Sequence, residues 1–124
     1  TTVKDLFNKI KKYLKTADII IHAAAVSDFE LESRSKKKIK SNKELHLELT
    51  PTTKILENLK KMNKNIFLTG FKAEVNLSET ELINSAYSLL KSADADLIVA
   101  NDVGKKNVGF EVDGKYCVSL RISN

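Results

Sequence analysis

Ala17-Asp18-Ile19-Ile20-Ile21-His22-Ala23-Ala24-Ala25-Val26-Ser27-Asp28-Phe29-Glu30 is the stretch on which the fold turns. Asp18 opens a short apolar run rich in β-branched residues, Ile19 to Ile21, the pattern of a strand buried on both faces, so a central parallel strand is expected. The alanines that follow let a ligand approach the backbone, and Ser27 and Asp28 bring hydrogen-bonding groups. Ligands of open α/β sheets bind just beyond the carboxyl ends of strands, which makes this the candidate site.

Upstream, Val3, Leu6, Phe7, Ile10, Tyr13 and Leu14 recur at helical spacing and predict a helix over 3–14. Downstream, Glu30 to Lys43 is dominated by charge and predicts an exposed loop or flap. Glu44 to Leu49 alternates apolar and polar residues, the pattern of a half-buried strand near an edge. Thr50-Pro51-Thr52-Thr53 supplies a turn and a helix start, with Ile55, Leu56, Leu59 and Met62 as the buried stripe of a helix ending near Asn63.

Ile66 to Phe71 reads as a second buried strand ending at Gly70, with the polar residues Lys72 to Asn76 after it. Ser78-Glu79-Thr80-Glu81 caps a helix running to about Ala93. Asp96 to Ala100 is a third strand. Val108 to Val112 and Tyr116 to Ile122 flank Asp113-Gly114, a hairpin signal. Three strands thus stop at polar tips: Asp28, then Lys72 and Glu74, then Asn101 and Asp102. Helix and strand alternate up to the hairpin, so the expected class is α/β, a Rossmann-like three-layer αβα arrangement with a mostly parallel sheet and a C-terminal antiparallel hairpin.

The 124 residues make one domain at most, short for a complete dinucleotide-binding enzyme. The opening Thr1-Thr2, and a helix leading directly into a central-looking strand, predict a partial domain. A net charge of +5 points to an anionic partner. Only Arg34 and Arg121 are arginine, whereas base readout leans on the arginine fork, so a phosphate-bearing small molecule fits the lysines better than nucleic acid does. Cys117 is alone, which excludes an internal disulfide and a multi-cysteine metal site and points to the reducing cytoplasm. No apolar run is long enough to span a membrane.

Neither GxGxxG nor GxxxxGK[ST] occurs, so a nucleotide must be held by other elements. His22 and His46 have no partner at ligand spacing and read as structural. Asp28 at a strand tip suits a base, a sugar or Mg²⁺ near a triphosphate, and suits a turn cap equally well. Lys38 and Lys40, flanking Ile39, suit phosphate as mobile point charges or form a solvated charge run. Tyr87 and Lys91 match the YxxxK pair of short-chain dehydrogenases, but the helix pattern around them accounts for both residues, and the chain continues only to Asn124.

Ala23-Ala24-Ala25-Val26-Ser27-Asp28-Phe29, Lys38-Ile39-Lys40, Gly70-Phe71-Lys72-Ala73-Glu74, Leu97-Ile98-Val99-Ala100-Asn101-Asp102 and Gly109-Phe110 together resemble the phosphopantothenoylcysteine synthetase domain of coenzyme A biosynthesis. The resemblance runs from Ala17 to Leu120. It implies a cytoplasmic, usually homodimeric ligase that joins 4'-phosphopantothenate to cysteine with CTP and Mg²⁺ through an acyl-cytidylate. FMN is implied only for a decarboxylase often fused to this domain, outside these residues.

Carried onto this sequence, the resemblance puts His22, Ala23, Ala24 and Asp28 in the nucleotide pocket. It adds the turn Thr52, Thr53, Lys54 and Ile55, and Phe71. Lys38 is implied as the flap lysine that stabilises the charge of the reacting groups. Lys40, Lys91, Asn101 and Asp102 are implied as supporting residues. Leu89 and Ala93 stand where family members often carry lysine. The family's N-terminal nucleotide-binding segment has no counterpart here, so the resemblance implies the C-terminal portion of the domain, inactive alone.

Overall fold

A computed structural model describes residues 2–32, 44, 46–103, 110–112 and 115–118. Thr2 caps helix α1 (Val3–Tyr13) through a capping box with Asp5, each side chain bonding the other's backbone N–H. Strand β1 (Ile19–His22) follows. Two short strands, β2 (Phe29–Leu31) and β3 (Leu49–Pro51), then pair antiparallel as a separate ribbon, with Phe29 opposite Pro51 and Leu31 opposite Leu49. Helix α2 (Leu56–Met62), strand β4 (Phe67–Glu74), helix α3 (Glu79–Ala93) and strand β5 (Leu97–Asp102) come next, followed by β6 (Phe110–Val112) and β7 (Lys115–Val118).

Five strands form one sheet in the order β1-β4-β5-β7-β6. The pairs β1 with β4, β4 with β5 and β5 with β7 are parallel, while β6 runs antiparallel to β7. Its register sets Val112 opposite Lys115, the antiparallel pairing expected of a hairpin. The expected α/β class, mostly parallel sheet and terminal hairpin are all found.

Leu59 on the inner face of α2 is fully buried against the sheet with Ile66, Leu68 and Ile98, and Leu82, Ala86 and Leu90 form the inner stripe of α3. Ser78 and Glu81 form the capping box that their spacing predicts. At its other end α3 stops at Asp94, which adopts the left-handed conformation (φ 50°), while the Ala95 N–H donates to the Leu90 carbonyl. The Asp96 carboxylate accepts from the Leu68 N–H at 2.8 Å and pairs with Lys60 at 2.7 Å, joining α2 to two neighbouring strands.

Several expectations need correction. β1 forms one edge of the described sheet, and Ile19 and Ile21 are 63% and 67% exposed, with only Ile20 turned toward the core. A β-branched run encodes a preference for extended backbone, not the number of neighbours the strand receives. Along that open face Phe67 and Phe71 are exposed as well, and the outer layer expected over it is not among the described residues.

The stretch from Glu44 to Leu49 is not the predicted strand: His46, Leu47 and Glu48 are exposed and outside regular structure, and pairing begins only at Leu49. Its alternation has no sheet face to serve there. Glu30 and Leu31, expected in the loop, belong to β2, and residues 33–43 lie outside the description. Met62 and Tyr13 are exposed because each falls in the last turn of its helix, beyond the core. β4 runs on past Gly70 to Glu74, paired with β5 throughout, so Lys72 and Glu74 are strand residues.

Candidate functional site

A cleft of about 480 Å³ opens where the adjacent strands β1 and β4 end, within the size range of small-molecule sites. β1 and the segment after it contribute His22 and Ala24 to Asp28. The entry to α2 contributes Thr52 to Glu57, β4 contributes Phe71, Lys72 and Ala73, and α3 contributes Leu89.

Thr52 joins the first two groups. It is 7% exposed, its N–H donates to the Asp28 carbonyl at 2.8 Å, and its hydroxyl donates to the Ser27 carbonyl. The Ser27 hydroxyl bonds the Phe29 carbonyl at 2.7 Å, tightening the same turn. Asp28 therefore sits on a backbone fixed from both sides, although its side chain is 68% exposed. Lys54 donates to that carboxylate and, together with the more distant Lys72, holds it ionised below the usual carboxylate range.

Lys72 in turn pairs with Glu74 at 2.9 Å, and the Ser85 hydroxyl donates to the same carboxylate oxygen at 3.1 Å. These bonds hold Glu74 below its ordinary value. Burial lowers the His22 value too, and for an imidazole that favours the neutral form.

The lining offers a nucleotide four kinds of contact. Ala24 and Ala25 leave space beside the backbone, Phe71, 38% exposed, presents a ring for stacking, Asp28 accepts hydrogen bonds, and Lys54 and Lys72 carry positive charge. Among the described residues no three His, Cys, Asp or Glu side chains gather as a metal site. A single exposed carboxylate nevertheless fits Mg²⁺, which is commonly held by one or two carboxylates together with substrate phosphates.

The structure thus brings together His22, Ala24, Asp28, Thr52, Thr53, Lys54, Ile55 and Phe71. Ala23 does not line the cleft. Lys91 lies over the ring of Tyr87 on the same helix at 4.5 Å, and neither residue reaches the cleft, so the dehydrogenase-like pair is not part of it. Asn101 and Asp102 lie away from it at the tip of β5, where Asp102, 3% exposed, accepts from the N–H of Asn76 at 3.1 Å and so shapes the β4–α3 turn. Lys38 and Lys40 lie outside the described residues.

Sequence reasoning noted Lys72 as a polar strand tip and did not place it among the candidate site residues, whereas the structure has it lining the cleft. Its signal was available in its place two residues after the glycine of a strand that ends beside Asp28.

Over 102 residues the chain is 45% identical to the coenzyme A biosynthesis bifunctional protein CoaBC of Thermococcus kodakarensis, covering 81% of the chain and 25% of that protein. It is 41% identical over 118 residues to the protein of the same name from Methanocaldococcus jannaschii, covering 95% and 29%. The chain therefore spans only between a quarter and a third of those relatives.

The crystal structure of the DNA/pantothenate metabolism flavoprotein from Streptococcus pneumoniae superposes with a TM-score of 0.73 at 32% identity, over 83% of this chain and 54% of that one. The family model for the C-terminal domain of the DNA/pantothenate metabolism flavoproteins matches residues 1–123. With nearly every residue inside that match, the chain belongs to the family of DNA/pantothenate metabolism flavoprotein C-terminal domains.

Proposed function

We propose that this chain is the nucleotide-holding part of a CTP-dependent phosphopantothenate–cysteine ligase in coenzyme A biosynthesis. The observation that carries this is the cleft itself: Asp28, Lys54, Lys72 and Phe71 converge at the ends of β1 and β4 in a chain whose relatives are named for coenzyme A biosynthesis.

In the proposed reaction the carboxylate of 4'-phosphopantothenate attacks the α-phosphorus of CTP. The bond to the bridging oxygen breaks, pyrophosphate leaves, and an acyl-cytidylate remains. The amine of cysteine then attacks the acyl carbon, loses a proton and expels CMP. Two highly charged anions must meet, so fixed cations at the cleft lower the barrier by offsetting their repulsion. Lys54 and Lys72 serve here, and the same role is proposed for Lys38 on the family resemblance alone.

The described lining carries two carboxylates, Asp28 and Glu57, against those two lysines. It is balanced before a triphosphate arrives. Asp28 would hold Mg²⁺ arriving with the nucleotide, and the ion would supply the additional positive charge. FMN has its place in a fused decarboxylase, and the working assembly is proposed to be a cytoplasmic homodimer.

Calorimetric titration of this chain with CTP, ATP and NAD⁺ in Mg²⁺, with Asp28→Asn as control, tests the proposal. CTP binding that Asp28→Asn weakens supports it. NAD⁺ binding without CTP binding overturns it, and binding of none of the three refutes the cleft as a nucleotide site in this chain.

A further inference from the structure

We propose that Lys72 is the residue that reads the length of the nucleotide's phosphate chain, and that Glu74 and Ser85 are the positioning residues that present it. This rests on the nucleotide reading of the cleft and deepens it, assigning the ligand class as nucleoside polyphosphates in preference to monophosphates.

The placement begins with the strand. Lys72 and Glu74 are two residues apart in β4, so their side chains leave the same face of the sheet. That face meets α3, where Ser85 donates to Glu74 Oε1 at 3.1 Å while Lys72 Nζ lies 2.9 Å from the same oxygen. One carboxylate oxygen thus accepts from the helix hydroxyl and carries the lysine as well. Lys72 also lines the cleft with Asp28, close enough for its charge to act on the Asp28 carboxyl.

The two cleft lysines differ in a way that matters. Lys54 is spent on Asp28, and its side chain is 53% exposed. Lys72 is 35% exposed, so its charge is less screened by water, and its partner keeps a second donor, Ser85, when the lysine moves away. A partly exposed ion pair is weak, and lysine's stem is flexible, so exchange from Glu74 to a phosphate oxygen costs little. Phe71, next in the strand, points to the other face and lines the cleft too. The strand end therefore offers a ring for a base beside a cation for phosphate.

The test compares CTP, CDP and CMP by calorimetry on wild type, Lys72→Met, Lys72→Arg and Glu74→Gln, with thermal melting to confirm folding. Lys72→Met is expected to weaken CTP about ten- to hundredfold, the range of one charge-assisted hydrogen bond, with CMP changed less than about twofold. Lys72→Arg should recover most of the CTP affinity, and Glu74→Gln should fall between wild type and Lys72→Met. Equal losses for CTP and CMP, or unchanged CTP binding, overturn the role of Lys72 while leaving the cleft a nucleotide site. If wild type binds no nucleotide, the underlying proposal fails with it.

Discussion

Gly70→Ala should destabilise the chain by about 0.5–2 kcal/mol, and the strain should appear at the cleft. A Cβ built on Gly70 would lie 2.6 Å from Leu56 Cδ2 and 2.9 Å from Ile98 Cδ1. Carbon atoms settle at roughly 3.5–4.0 Å, so Leu56 must retreat by about 1 Å and Ile98 by about 0.6 Å. Ile98 is fully buried and has nowhere to go. Leu56 lines the cleft and can turn into it while Ile98 cannot yield, so the cost belongs at about 1.5–2.5 kcal/mol, within the roughly 1–3 kcal/mol for overpacking. Removing a glycine also stiffens the unfolded chain, which returns about 0.4–1 kcal/mol. Urea unfolding followed by far-UV circular dichroism measures the difference. In a Leu56→Ala background the same Gly70→Ala change should cost less, because the Leu56 methyls are gone and only the Ile98 contact remains. Unchanged or higher stability in Gly70→Ala, or an equal cost in both backgrounds, would show that Leu56 does not pack over this glycine.

Leu59→Ala, at a fully buried side chain, should cost about 2–5 kcal/mol in the same assay, and a loss below 1 kcal/mol would contradict its place in the core. Asp94→Gly should raise stability by about 0.5–1 kcal/mol, since Asp94 holds the left-handed conformation at the end of α3 that glycine adopts without strain. Burial lowers the His22 pKa, so as pH falls through about 6.5 the unfolded chain takes up its proton first and stability declines until the lower native value is reached. An NMR titration in which His22 has its midpoint at or above that value would refute this. Asp28 and Glu74 also have lowered values, so the stability each contributes is present above the ordinary carboxylate range and lost as pH falls through the native value. Glu74→Gln should therefore make stability less steep below about pH 4.5, and identical acid limbs would count against the Lys72–Glu74 pair.

What the sequence made legible was mainly local. Ser78 and Glu81 stand three residues apart ahead of an apolar stripe, and a capping box depends on nothing else. Val112 and Lys115 likewise pair antiparallel, as the hairpin signal between them predicts. Burial was harder to read, because it depends on what lies across the sheet. Ile19-Ile20-Ile21 carries no mark telling Ile20, which faces the core, from its exposed neighbours. The site was legible where motif and strand end coincide, as at Asp28 and Phe71. It was misjudged where a strand outruns its apolar residues, as β4 does through Lys72 and Glu74.

Thr52 explains how so exposed a site keeps its shape. Asp28 and Lys54 pair across the whole β1–α2 connection, and bringing two such segments together costs loop entropy that an exposed ion pair cannot supply. The two bonds from Thr52 to the Asp28 and Ser27 carbonyls, with the β2–β3 ladder beyond them, close the connection at its base. Because Thr52 is buried, those bonds are sheltered from water and hold the backbone of Asp28 whether or not Lys54 is engaged. The turn at Asp28 thus keeps its shape with Lys54 paired to it, just as Ser85 still holds Glu74 when Lys72 moves away. The cleft repeats one device on both sides, a carboxylate anchored through bonds that do not involve the lysine it carries.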